Sequence, residues 1–212
     1  MPYLSKGRTL ILSILGVLFA VIIGLLAGNY LTSGNDRSTA MREAGIVTLP
    51  SSRGLPALQL VSTRGEQINT QNLTGKWSLV FFGYTFCPDI CPTTLAELRQ
   101  LKKQLPEQAR QNLQVLMVSV DPHRDTTEQL KLYLDYFDPE FTGLTGELKD
   151  IQTLSNALSI PFIPGDTSQP RYTVDHSGNL AILNPDGRQY GFIRAPLNIQ
   201  KLAEQLPNVI SQ

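Results

Sequence analysis

Leu10 to Gly28 reads LILSILGVLFAVIIGLLAG, an apolar run broken only by Ser13 and glycines, and it dictates how the chain divides. At about 1.5 Å per helical residue, the run matches a hydrocarbon core of roughly 30 Å. It exceeds the apolar part of a cleaved signal peptide, usually about 7–15 residues, and no small-x-small cleavage site follows it. One membrane-spanning helix is therefore expected over residues 9–31. Lys6 and Arg8 precede the run, whereas the first charges after it are Asp36 and Arg37. Basic residues stay on the cytoplasmic side, which places residues 1–8 in the cytoplasm and the rest of the chain outside. No Arg- and Ser-rich transit peptide precedes the run, so the expected location is a bacterial inner membrane, crossed once, with a soluble domain in the periplasm.

The remaining length suits one main domain, given domains of roughly 100–200 residues. Eighteen basic and eighteen acidic side chains cancel, and nothing in that balance calls for a nucleic-acid partner. Residues 32–54 are polar, contain Gly and Ser and lack a sustained period, which is linker composition; the folded domain is expected over residues 55–212. There, strand-like and helix-like segments alternate. ALQLVSTRGEQIN reads as a hairpin turning at Arg64 and Gly65, and Trp77 to Tyr84 as a buried strand. Thr93 to Leu105 carries Leu95, Leu98, Leu101 and Leu105 at helical spacing and is stopped by Pro106. Gln114 to Val120 is a second buried strand, followed by helices at Thr126 to Phe137 and Glu147 to Leu158. Strands at Tyr172 to Asp175, Leu180 to Leu183 and Tyr190 to Ile193 lead to a closing helix at Leu197 to Leu206. This order predicts an α/β domain, a mixed sheet flanked by helices, preceded by one transmembrane helix. Thioredoxin-like folds have the same order, with their active thiols where the first core strand meets its helix.

Cys87 lies at that junction. The chain has only two cysteines and two histidines, so thiol or soft-metal chemistry draws on a very small set. In GYTFCPDICPTTLAEL, Cys87 and Cys91 are four positions apart, which puts two sulfurs on one face if the intervening residues make a helical turn. A proline after each cysteine fits a tight turn into the first turn of a helix, where an amide proton has no intrahelical acceptor. A helix N-terminus also favours the thiolate, the form that binds metal. A structural disulfide is the plain alternative, yet so short a loop restrains the unfolded chain little. A redox pair or a metal site remains. Two thiolates with one imidazole would suit three-coordinate Cu(I), and His176, at a strand end before Ser177–Gly178, is the candidate third ligand. A lone histidine in such a turn is more often a solvated surface residue than a ligand.

FCPDICPTTLAEL, VSVDPHRDT and YTVDHSGNL together resemble the Sco/SenC family of copper chaperones for cytochrome c oxidase assembly. The likeness runs from about Leu55 to the C-terminus and includes the single N-terminal span. It implies that Cys87, Cys91 and His176 bind copper, as Cu(I) or Cu(II), and that the copper passes to the binuclear copper centre of the oxidase subunit. A thiol–disulfide role toward that subunit's cysteines is also implied. Further partners would be other periplasmic copper chaperones or thioredoxin-like reductants, and the membrane itself. Such a protein is a carrier rather than an enzyme; the competing function is a membrane-tethered thiol–disulfide oxidoreductase that transfers no metal. Asp89, between the cysteines, is expected to serve the helix N-terminus, and Asp175 to point away from the His176 face. His123 is expected to be a loop histidine with no family role, Tyr84 and Phe86 to pack beside the site, and Met41 and Met117 to lie too far off to ligate.

Overall fold

In a computed structural model of the protein, residues 12–25, 38–169 and 171–210 are described. The chain forms two compact units, residues 1–40 and 41–212. In the first, residues 12–25 form a helix with exposed side chains. Residues 1–8, and residues 9–11 and 26–31 of the expected span, lie outside the described residues. Among the described residues, no helix is long and apolar enough to cross a membrane.

The second unit is built on one eight-stranded sheet in the order β1-β8-β7-β4-β5-β6-β2-β3. Its strands are β1 (Ile46–Arg53), β2 (Gln59–Ser62), β3 (Gln67–Asn69), β4 (Trp77–Gly83), β5 (Leu113–Ser119), β6 (Thr142–Thr145), β7 (Leu180–Leu183) and β8 (Gln189–Ile193). Its helices are α1 (Ile90–Gln104), α2 (Glu107–Gln111), α3 (Thr127–Phe137), α4 (Leu148–Ala157) and α5 (Ile199–Ile210). β4 runs parallel to β5, and β5 to β6, whereas β7 pairs antiparallel with β4. This is the expected mixed α/β sheet with flanking helices.

Burial explains the arrangement. Every residue of β4, WSLVFFG, is buried, as expected of a strand covered on both faces. Helix α1 buries Leu95, Leu98 and Leu101 and packs against α5. It begins at Ile90, ahead of the expected Thr93, because Pro92 falls in the first turn, where a missing N–H costs nothing. Helix α3 starts at the Thr126 cap, whose hydroxyl accepts from the Gln129 N–H, and buries Leu130, Leu134 and Phe137.

Besides a short helix over residues 38–43, helix α2 and strand β6, none of which was expected, three segments differ from the sequence-based expectation. Residues 46–53, expected within a linker, form β1 on β8 at the sheet edge. Pro50 disguises this strand, but an edge tolerates proline, and the register shifts between Thr48 and Arg53, where it sits. Tyr172 to Asp175 is not a strand; only an isolated bridge joins Asp175 to Ile163. Its other backbone groups go to side chains, with the Val174 N–H donating to Tyr84 Oη and the Tyr172 carbonyl accepting from Arg124. The last helix runs past Leu206 and Pro207 to Ile210, because Val209 and Ile210 continue the buried face of Leu202 and Leu206.

Candidate metal centre

The β4–β7 pairing fixes where the candidate ligands meet. Phe81 is opposite Leu180, so the chain leaving β4 toward Cys87 and the chain entering β7 from His176 lie at the same sheet end. β4 ends at Gly83. A Cβ there would stand 2.6 Å from the Phe81 ring and 2.8 Å from Cys91 Sγ, so glycine leaves the space that the sulfur fills. The Tyr84 N–H donates to Cys91 Sγ at 3.4 Å. The chain then turns, with the Cys87 N–H donating to the Tyr84 carbonyl at 3.3 Å, and α1 begins.

Early amides of a helix lack intrahelical acceptors. Here the Cys91 N–H donates to Cys87 Sγ at 3.4 Å, so the first sulfur helps cap the helix that carries the second. Asp89 occupies the N-cap position but makes no capping bond with its side chain. Both cysteines are free thiols, Cys91 fully buried and Cys87 9% exposed.

His176 reaches the pair from the other loop, its Nε2 3.3 Å from Cys91 Sγ. Nδ1 lies 3.4 Å from the Ser177 carbonyl, so the tautomer with its proton on Nδ1 leaves the Nε2 lone pair facing the sulfurs. The rings of Tyr84 and Phe81 meet the imidazole edge-on, with centroids 5.5 and 6.0 Å away. The ligand atoms of Cys87, Cys91 and His176 all lie within 4.8 Å of one another. Sequence reasoning named these three residues, and the fold brings all three together.

The two thiols differ. The hydrogen bond from the Cys91 side chain, helped by the N–H groups of Asp89 and Cys91, holds Cys87 well below the ordinary thiol range despite burial. Burial, and then the neighbouring Cys87, pushes Cys91 up. Cys87 is therefore the ready thiolate, and Cys91 gives up its proton when a cation compensates the charge. Two thiolates and one imidazole form a donor set that would suit a soft ion such as Cu(I), and zinc as well.

The remaining named residues separate as expected or nearly so. Asp175 is exposed, Met117 is buried within β5, and Met41 packs against the core. His123 is exposed and lines a cleft of about 360 Å3 between the loop after β5 and the segment leading to His176. Tyr84 is buried beside the imidazole, whereas Phe86, 52% exposed, lies under the Arg124 guanidinium.

What sequence reasoning missed is the role of VSVDPHRDT. Asp125, buried, accepts from the Thr85 N–H at 3.2 Å, from Thr85 Oγ1 at 2.6 Å and from Ser119 Oγ at 2.6 Å, tying the cysteine loop to the end of β5. Asp121, also buried, accepts from Tyr172 Oη at 2.6 Å and pairs with Arg124. Two aspartates and an arginine directly after a buried strand were the available signal, since strand ends are where such folds gather functional groups.

A thioredoxin-like sheet with a Cys–Cys–His cluster at the mouth of its first strand–helix unit defines a class of thiol-based metal or redox proteins. The SCO1/SenC family profile matches residues 50–211. A putative copper-binding protein of Stutzerimonas stutzeri is 46% identical over 175 residues, covering 82% of this chain and 86% of that one. The mitochondrial SCO1 homolog 1 of Arabidopsis thaliana is 29% identical over 72% of this chain, which spans only 46% of that relative. The crystal structure of Arabidopsis thaliana ScoI with copper bound superposes with a TM-score of 0.68 at 28% identity, covering 74% of this chain and 98% of that one. The chain belongs to the SCO1/SenC family.

Proposed function

We propose that the protein is a copper carrier that takes one copper ion as cargo between Cys87 Sγ, Cys91 Sγ and His176 Nε2 and passes it to the binuclear copper centre of a cytochrome c oxidase subunit. The observation that carries this reading is the convergence of the three ligand atoms within 4.8 Å of one another. Two relatives support the choice of ion, the putative copper-binding protein of Stutzerimonas stutzeri and the copper-bound Arabidopsis ScoI. A three-ligand site suits a carrier, because an incoming thiolate can enter before a resident ligand leaves. The domain works outside the cytoplasmic membrane, held by a single span over residues 9–31 and a tether that ends before β1, a reading supported by the apolar run and the charges on either side of it.

A second capacity is favoured by the contrast between the thiols. A lowered Cys87 beside a buried, raised Cys91 is arranged for exchange with a partner's disulfide. Cys87 attacks, Cys91 resolves the mixed disulfide, and two electrons and two protons pass to the partner as the Cys87–Cys91 disulfide forms. That disulfide removes both sulfur ligands, so copper loading requires the reduced pair.

Mixing the copper-loaded, reduced chain with the metal-free, reduced copper-centre domain of an oxidase subunit is expected to move copper to that domain and to develop its purple chromophore once both copper positions are filled and oxidised. Retention of all copper on the donor would contradict delivery. Deletion of residues 9–31 is expected to release the chain from the membrane fraction, and continued sedimentation with membranes would contradict the anchor.

A further inference from the structure

His176 is the one ligand outside the cysteine turn, and its own segment holds it weakly. Nδ1 reaches only the adjacent Ser177 carbonyl, at 3.4 Å, and residues 171–179 contain no strand or helix. The segment is fixed instead at three points upstream of the histidine. Asp175 exchanges backbone hydrogen bonds with Ile163, and the Val174 N–H donates to Tyr84 Oη at 3.3 Å. Tyr172, four residues before His176, is gripped most completely. Its hydroxyl donates to Asp121 Oδ1 at 2.6 Å, its carbonyl accepts from Arg124 Nη2 at 3.1 Å, and the Arg124 guanidinium lies 3.6 Å from its ring centroid.

The same guanidinium lies 4.9 Å from the ring of Phe86, the residue before Cys87, and 5.7 Å from that of Tyr84. Its partner Asp121 is buried, and the Asp121 N–H donates to Ser119 Oγ at 3.1 Å at the end of β5. A single ion pair thus touches the loop bearing the first sulfur and the loop bearing the imidazole. Arginine suits this place because its flat, always charged fork can stack on rings while its edge hydrogen-bonds, which an ammonium cannot do.

From this arrangement we infer that Tyr172 is a positioning residue of the metal centre, held by the Asp121–Arg124 pair so that His176 Nε2 stays within reach of the two sulfurs. It touches no copper itself. The inference rests on the Cys87–Cys91–His176 copper reading and adds what sets the third ligand's place. Groups that orient a metal-binding histidine typically contribute about 10–100-fold to affinity.

The test uses the full chain, reduced, in two states. In the metal-free state, NMR reads the contact between the His176 and Tyr84 rings, whose centroids are 5.5 Å apart; only two histidines need assignment. After loading with Cu(II), electron paramagnetic resonance reads nitrogen and sulfur ligation, and competition with a chelator reads affinity. The variants are Tyr172→Phe, which keeps the ring under the guanidinium, and Tyr172→Leu, which fills the space without stack or hydroxyl; His176→Ala runs beside them.

Tyr172→Leu is expected to lose the ring contact, to lose or weaken the nitrogen signature while retaining the sulfur one, and to bind copper about ten-fold more weakly or worse. Tyr172→Phe is expected to fall between Tyr172→Leu and wild type in each readout. A merely structural role would lower the melting temperature of Tyr172→Leu and leave the ring contact and the copper spectrum of its folded form as in wild type, and that result overturns the inference. If Tyr172→Leu does not fold, Tyr172→Phe decides alone, a wild-type ring contact and affinity being the overturning result. If His176→Ala also keeps the wild-type copper spectrum, the copper reading falls and this inference with it; if His176→Ala changes the spectrum and the Tyr172 variants do not, only this inference falls.

Discussion

Cys87 and Cys91 hold their protons unequally because thiol and amide donors outweigh burial at Cys87, whereas burial outweighs the Tyr84 amide at Cys91. The hydrogen bond from Cys91 is the largest influence lowering Cys87, followed in opposition by burial and then by the N–H groups of Asp89 and Cys91. At neutral pH, iodoacetamide is expected to label Cys87 first and to leave buried Cys91 unmodified until the protein unfolds. The sign of the pH effect follows from the lowered value: the rate stays high as pH falls through the ordinary thiol range and declines only near the lower value of Cys87. Cys91→Ala removes the leading cause and is expected to move that decline to higher pH. A wild-type inflection at the ordinary thiol value, located by mass spectrometry of labelled peptides, would contradict this account. The same residues show what spacing reveals. The spacing predicted converging sulfurs only if residues 87–91 made a helical turn; the helix begins at Ile90, and the sulfurs meet through the turn before it, as does the cap formed by the Cys91 N–H on Cys87 Sγ.

At the scale of elements, local pattern served well where burial was one-sided or complete. The WSLVFFG and LQVLMVS runs became β4 and β5, and the leucines of α1 and α3 became their buried faces. Pattern failed where tertiary partners override composition. Edge strand β1 takes its hydrogen bonds from β8 despite Pro50, and Tyr172 to Asp175 spends its backbone groups on Tyr84 and Arg124 rather than on a neighbouring strand. The loop after β5 is a further case, a polar stretch whose aspartates are buried because each finds donors on other loops. Asp125→Ala would leave the Thr85 N–H and the hydroxyls of Thr85 and Ser119 without their acceptor. Its expected cost is about 2–3 kcal/mol of folding stability. Denaturant unfolding checks this, and a change below about 0.5 kcal/mol, the range of an ordinary surface substitution, would contradict it.

At the scale of the whole molecule, Cys91 and His176 are 85 residues apart in sequence and 3.3 Å apart in space. The sheet brings the two loops to one end, since antiparallel β7 begins opposite the end of β4. The sequence put the cysteines at a strand–helix junction and His176 at a strand end, but the pairing of β4 with β7, and the choice between a ligand and a surface histidine, needed the fold. Resemblance to a family supplied the ion, and the geometry supplied a reason for it. The most direct test loads the reduced full chain with Cu(II), wild type beside His176→Ala, with metal content by elemental analysis and ligation by absorption and electron paramagnetic resonance. One copper per wild-type chain with sulfur and nitrogen ligands, bound more weakly and without the nitrogen signature in His176→Ala, is the predicted result. Equal binding with the same spectrum in His176→Ala, or no copper on the reduced wild type, would contradict the Cys87–Cys91–His176 centre.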